Sequence, residues 1–211
     1  MDSNVCLRFE RIINDEIAAG EYSLDITLIR ALKNTIITDE GKISMGIPIE
    51  KEVTIYDLTK DAVTSLSKMR FIYLISLFEA FAQEYIAERK SIKVEDLKEN
   101  LKFQASNWAK QTRNASTSYY NFKYVNFLFK ELFSIDFSNH VNAITLEGGD
   151  IRKCIVHHNG LVCNDYMKDH LKETLKFLGL NQNVGEKIEV TKKIMGIFIE
   201  DFRKIIDLCK Y

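Results

Sequence analysis

Arg152 and His157 are separated by four residues in Gly148-Gly149-Asp150-Ile151-Arg152-Lys153-Cys154-Ile155-Val156-His157-His158-Asn159-Gly160. A guanidinium that stays charged at every working pH can hold the non-bridging oxygens of a phosphate, and an imidazole can give or take a proton near neutrality. Lys153 adds a cation one helical turn before His157, while His158 offers a second histidine one position further on. The catalytic candidates are therefore Arg152, His157, Lys153 and His158, and the place of Lys153 one helical turn before His157 favours His157 over His158. The segment reads as a short helix with both ends written into it. Asp150 can accept a hydrogen bond from the free amides of the first turn, and Asn159-Gly160 supplies a left-handed stop. Arg152 then lies near the positive end of the helix, where anions are favoured, and His157 near the negative end. On an ideal helix the two side chains stand about 140° apart, so they meet on one ligand only when the long Arg152 side chain swings around.

A second stretch, Asn100 to Lys130, holds Lys102, Lys110, Arg113, Lys123 and Lys130 without one acidic residue, interleaved with Trp108, Tyr119, Tyr120 and Tyr124. Cations beside aromatic faces suit single-stranded RNA, whose phosphates need neutralising and whose splayed bases need a surface to stack on. Lys110, Arg113, Tyr119, Tyr120 and Lys123 are the RNA-binding candidates. An ordinary solvated face accounts equally well for the charges, and Phe122, Phe127, Phe129 and Phe133 read as core. Cys154, His157, His158 and Cys163 crowd onto one short helix and the turn after it, which is poor for a tetrahedral zinc site. Only Glu147 and Asp150 are carboxylates close in sequence to the Arg-His pair, too few for a two-metal centre. No metal or cofactor is expected.

These residues must be positioned by helices. One Pro and nine Gly among 211 residues leave few breaks. The stretch from Asp57 to Arg89 contains neither, and its Leu58, Ala62, Leu66, Met69, Tyr73, Leu77, Phe81 and Tyr85 recur at steps of three or four, which predicts one long helix with that face inward. Phe71, Leu74, Phe78 and Ile86 form a neighbouring stripe, available to pair with a second copy of the chain. Further helices are predicted over Val5–Ala19, Leu24–Ile37, Tyr119–Phe133, Asp150–His158 and Thr191–Cys209, with shorter pieces around Leu97 and between Asp165 and Leu178. Gly41, Gly46 and Pro48 interrupt the pattern, where KISMGIPIEKEVTI allows a short hairpin. The fold class is all-α, a helical bundle spanning 51–211 with an N-terminal extension over 1–50.

Twenty-nine basic residues against thirty acidic ones give a formal charge of −1. A strongly basic nucleic-acid scaffold is thereby excluded, and any such binding must use a local patch. The N-terminus has no apolar stretch of signal-peptide length and no run approaches the ~20 residues of a membrane span, so a cytoplasmic protein without membrane contact is expected. Four scattered cysteines without C-x-x-C spacing argue against a disulfide framework.

IRKCIVHHNGLV resembles the R-x4–6-H motif of the HEPN superfamily (higher eukaryotes and prokaryotes nucleotide-binding), and within it the ribonuclease branch of RiboL-PSP-HEPN and MAE-like families. FIYLISLFEAFAQEYI, with Glu79 or Glu84 among apolar residues, is similar to the long early helix of such bundles, and VGEKIEVTKKIMGIFIEDFRKIID resembles their closing segment. The likeness covers roughly residues 55 to 209. Lys153 departs from the pattern, which commonly has a small polar residue after the Arg. The resemblance implies metal-independent cleavage of RNA by attack of the 2′-hydroxyl on the adjacent phosphorus, leaving a 2′,3′-cyclic phosphate and a free 5′-hydroxyl. It also implies a toxin or antiviral-defence setting, with an antitoxin or sensor protein as a further partner. With one motif histidine per subunit, both a proton acceptor and a proton donor would come from a homodimer whose two-fold axis joins two Arg-His helices. A catalytically silent HEPN module acting in dimerisation or partner binding is the alternative. A nucleotide-binding regulator of the same superfamily would carry Tyr two residues after the motif His, where Asn159 stands.

Overall fold

Aromatic rings spaced along one long helix determine how the chain packs. The protein, seen in a computed structural model, is described over residues 3–15, 36–37, 43–44, 55–112 and 116–210. Its elements are α1 (4–15), the two-residue strands β1 (Ile36–Ile37) and β2 (Ile43–Ser44), α2 (Ile55–Lys90), α3 (Leu97–Asn100), α4 (Lys102–Gln111), α5 (Phe122–Phe133), α6 (Ala143–Leu146), α7 (Gly148–His158), α8 (Asp165–His170), α9 (Lys172–Phe177) and α10 (Lys192–Cys209). The fold is all-α. The strands pair antiparallel, Ile36 with Ser44 and Ile37 with Ile43. The β-branched Ile36-Ile37, expected at the end of a helix, forms the first strand of the pair, so the pairing starts earlier than KISMGIPIEKEVTI suggests. The rest of the expected Leu24–Ile37 helix lies outside the described residues.

α2 runs unbroken for 36 residues, about 54 Å at helical rise. Its inward face is the expected one at Phe81 and Tyr85 but not at Met69 and Tyr73. Met69 is 68% and Tyr73 46% exposed, while Phe71, Leu74, Ile75, Phe78, Phe81, Ala82, Tyr85 and Ile86 are buried. Both stripes satisfy steps of three and four, and the one with Phe71 and Phe78 wins because two phenyl rings bury more apolar area than a thioether and a phenol whose hydroxyl wants water. Phe78 stacks on Phe122 of α5 at 3.7 Å, and Phe71 meets Phe198 of α10 edge-on at 5.0 Å. Phe71, Leu74, Phe78 and Ile86 are thus core residues and cannot form an exposed stripe for a second chain.

The core also reaches into the segment set apart in the sequence as an extension. Cys6, Phe9 and Ile13 of α1 are buried, with Phe9 edge-on to Phe81 at 5.5 Å. Each such side chain contributes about 1.5–3 kcal/mol by burial. Arg8 pairs with Glu84 across the α1–α2 contact, which ties that carboxylate to α1. No helix among the described residues is long and apolar enough to cross a membrane.

The turn after α5 is held by Asp136, whose carboxylate accepts from Ser138 Oγ at 2.6 Å, Asn126 Nδ2 at 3.0 Å and Lys130 Nζ at 3.0 Å. The Ser138 hydroxyl, then Asn126 and Lys130, hold this carboxyl well below the usual carboxylate range. A depressed folded-state value contributes stability that is present above the unfolded-state pKa of about 4 and is lost as pH falls through the folded-state value. Unfolding by denaturant at pH 5 and pH 3 should therefore show a loss on acidification that is smaller in Asp136→Asn. An equal loss in both proteins would refute this assignment.

Candidate functional site

α7 carries the Arg-His pair, and its placement begins two residues before the expected start. The helix opens at Gly148 with Glu147 at the N-cap, and neither Glu147 nor Asp150 caps it with a side chain. The buried Glu147 carboxylate reaches instead to the first turn of α9, accepting from Glu173 N at 3.0 Å, Thr174 N at 2.9 Å and Thr174 Oγ1 at 2.6 Å. Amides at a helix start are orphan donors, so this carboxylate fixes α9 against the start of α7. Asp201 of α10 does the same for α6, accepting from Asn142 N at 2.6 Å and Thr145 Oγ1 at 2.7 Å.

The two glycines let the start of α7 approach its neighbours closely. A Cβ on Gly148 would stand 2.6 Å from Phe198 Cε1 and 2.9 Å from Phe122 Cε2, and one on Gly149 would stand 2.7 Å from the Tyr120 carbonyl oxygen. At the other end Asn159 adopts φ 51° and Gly160 φ 86°, as the left-handed stop requires. Lys68 Nζ of α2 donates to Asn159 Oδ1 at 2.6 Å. Ile151, Cys154 and Ile155 face the core; Lys153 and His157 are exposed, and Arg152 is half-buried.

A cavity of about 370 Å³ opens along this outer side, and Arg152, Lys153 and His157 all line it together with Tyr120 and Lys123. His158 does not line it. The Arg152 guanidinium lies over the Tyr120 ring, 4.9 Å from its centroid, and its Nε is buried with no hydrogen-bond partner among the described residues. Stacking on a π-face keeps a guanidinium planar and aimed while leaving its donors free. Tyr120 is itself fixed by the loop before α5, where Asn121 Oδ1 accepts from Lys123 N at 3.1 Å and Asn121 Nδ2 donates to the Ser116 carbonyl at 2.9 Å. Asp150 lies on the same wall; burial pushes its carboxyl up, while His170, Lys123 and Lys153 pull against that shift.

The basic stretch divides. Lys123 and Tyr120 reach the cavity, whereas Lys110 is exposed on α4 away from its lining and Arg113 falls outside the described residues. Tyr119 packs on the buried Tyr124 with ring centroids 6.1 Å apart, and burial raises its hydroxyl to about 12. Trp108 is 9% exposed, donates Nε1–H to the Ser116 carbonyl at 3.2 Å and lines the cavity. Lys130 is paired with Asp136 at 3.0 Å.

Sequence reasoning missed one wall. α8, capped by Asn164 Oδ1 accepting from Met167 N at 2.9 Å, places Tyr166 and His170 on one face, and both line the cavity. Their rings stack at 4.0 Å, and the Lys153 ammonium sits 5.6 Å from the Tyr166 centroid. The spacing of four between Tyr166 and His170, inside a predicted helical piece, was the available signal. Among the described residues no group of three or more His, Cys, Asp or Glu is placed to hold a metal ion. Cys154 is buried, with Sγ 3.4 Å from the Leu161 carbonyl, and Cys163 is exposed. Comparison with protein-family models, with curated proteins and with solved structures finds no match, so the chemistry of this cavity has to be argued from its own residues.

Proposed function

We propose that the chain is a metal-independent endoribonuclease of the toxin or antiviral-defence type that cleaves single-stranded RNA in the α7 cavity by 2′-hydroxyl attack. The observation that carries this reading is the half-buried Arg152, stacked on Tyr120 with Nε unpartnered among the described residues, in a cavity shared with His157, Lys123 and Lys153. The guanidinium lines that cavity, where its fork of N–H donors suits phosphate oxygens. Two further cations offset the remaining phosphate charge, and His157 handles the proton. The defence setting, pairing with a second copy of the chain, and an antitoxin or sensor that restrains the activity belong to the same reading and rest on the likeness of IRKCIVHHNGLV to HEPN ribonucleases.

Purified wild-type protein should cut single-stranded RNA in EDTA at the rate seen without it. The fragments should resist 3′-end ligation and polyadenylation until a phosphatase that opens cyclic phosphates has acted. Ready extension of untreated ends would sink the 2′-hydroxyl mechanism. Absence of cleavage under all conditions would leave the catalytically silent module in its place.

A further inference from the structure

General acid–base cleavage of RNA needs two proton-transfer groups, one to take the proton of the attacking 2′-hydroxyl and one to protonate the departing 5′-oxygen. The Arg-His motif supplies one histidine, yet the cavity holds two. His170 comes from the C-terminal end of α8 and lines the same space as His157. The space has a volume of about 370 Å³, at the small end of ligand pockets, and both rings line it.

His170 is held in a defined orientation. Its Nδ1 lies 2.8 Å from the Tyr166 carbonyl oxygen. A carbonyl only accepts, so Nδ1 carries the hydrogen and Nε2 is left as the working nitrogen. Stacking on Tyr166 at 4.0 Å fixes the plane of the ring. The other charged and titratable groups around it are known. α7 contributes Asp150, Arg152, Lys153 and His157; α5 contributes Lys123; Tyr120 and Tyr166 also line the space. Among them Asp150 is the one carboxylate.

From this placement we infer that His170 is a second catalytic residue, the proton donor to the 5′-oxygen, opposite His157 as the proton acceptor, within a cleft built by one chain. The inference rests on the ribonuclease reading. In the step, His157 takes the 2′-hydroxyl proton, the 2′-oxygen forms a bond to phosphorus, and the P–O5′ bond breaks. The leaving oxygen receives the proton of His170 Nε2, while Arg152 holds the non-bridging oxygens. One proton is taken and one given, and no oxidant, metal or co-reactant is consumed.

The test compares wild type and His170→Gln on ordinary RNA and on RNA with sulfur in place of the 5′-bridging oxygen, because a thiolate leaves without protonation. On ordinary RNA His170→Gln should lose about 10²- to 10⁴-fold in kcat and the falling alkaline limb of a bell-shaped pH profile. On the sulfur-bridged substrate its rate should return to within about tenfold of wild type, a rescue that purely structural damage does not give. Equal losses on both substrates would overturn the assignment, as would an unchanged rate and profile on ordinary RNA. One measurement stands even where His170→Gln folds poorly. Wild-type rate per chain should stay constant on dilution through the range where light scattering reports a monomer, and a rate that collapses there would overturn the single-chain cleft. Mixed His157→Ala and His170→Gln chains should give no more activity than their sum, and recovery beyond it would place the two histidines in different chains. If wild type itself does not cut RNA, the ribonuclease reading falls and takes this assignment with it; cutting by wild type with any overturning result above removes His170 alone.

Discussion

His157→Ala is expected to lower kcat for RNA cleavage about 10²- to 10⁴-fold with thermal stability unchanged, because removing a proton-transfer group costs that much in rate while an exposed side chain contributes little to the fold. Arg152→Ala should lose a comparable factor for a different reason. Its guanidinium stabilises charge that grows on the non-bridging oxygens as the phosphorane forms, so the loss falls on kcat as well as on binding. Arg152→Lys separates charge from geometry: the cation is kept, but the fork and its stacking on Tyr120 are not, and most of the activity should still be lost. Circular dichroism and melting of the three variants beside wild type supply the control. Full activity in His157→Ala with loss in His158→Ala would move the role to His158, which lies outside the cavity lining. Loss of helicity together with activity in Arg152→Lys would assign Arg152 to the fold.

What the sequence made legible depended on whether the cause was local. The end of α7 is a property of Asn159 and Gly160 themselves, and both adopt the left-handed backbone there. The start of α10 is likewise local, with Thr191 Oγ1 accepting from Ile194 N at 3.2 Å. The phase of α2 is not local. Two apolar stripes fit the helical period, and only the rings that α5 and α10 bring up, Phe122 and Phe198, decide that Phe71 and Phe78 turn inward. Glu147 shows the same limit, since nothing beside it in sequence points to its partners, which are 26 and 27 residues away. The candidate site was legible along α7 because six residues in sequence carry Arg152, Lys153 and His157. The wall made by Tyr166 and His170 was not, because it depends on how α8 folds back over α7. Trp108 and Tyr119 offer stacking surfaces by residue type alone; Trp108 is 9% exposed at the cavity lining, and Tyr119 is half-buried against Tyr124.

Three helical glycines test how closely the start of α7 is packed. Ala is favoured over Gly in a helix interior by about 1 kcal/mol, so with space available Gly→Ala stabilises. Gly196 of α10 has nothing within 4 Å of where its Cβ would stand, and Gly196→Ala should raise stability by about 0.5–1 kcal/mol. Gly148 is also helical, but its Cβ would lie 2.6 Å from Phe198 and 2.9 Å from Phe122. Those rings are fixed by their stacking and edge contacts with Phe78 and Phe71, so they cannot give way cheaply. Overpacking of this kind costs about 1–3 kcal/mol, which exceeds the propensity gain, and Gly148→Ala should destabilise. Gly149→Ala meets a backbone oxygen, Tyr120 O at 2.7 Å, and can be accommodated only by moving α7 away from the segment that carries Tyr120. That shift separates Arg152 from the ring on which it stacks, so Gly149→Ala should lose cleavage activity at temperatures where it is still fully folded. Gly148→Ala, which pushes on the core side, should lose stability first. Urea melts of the three variants, with cleavage measured well below each transition, decide the matter: a stabilised Gly148→Ala would show that α7 stands further from α5 and α10 than the distances above place it.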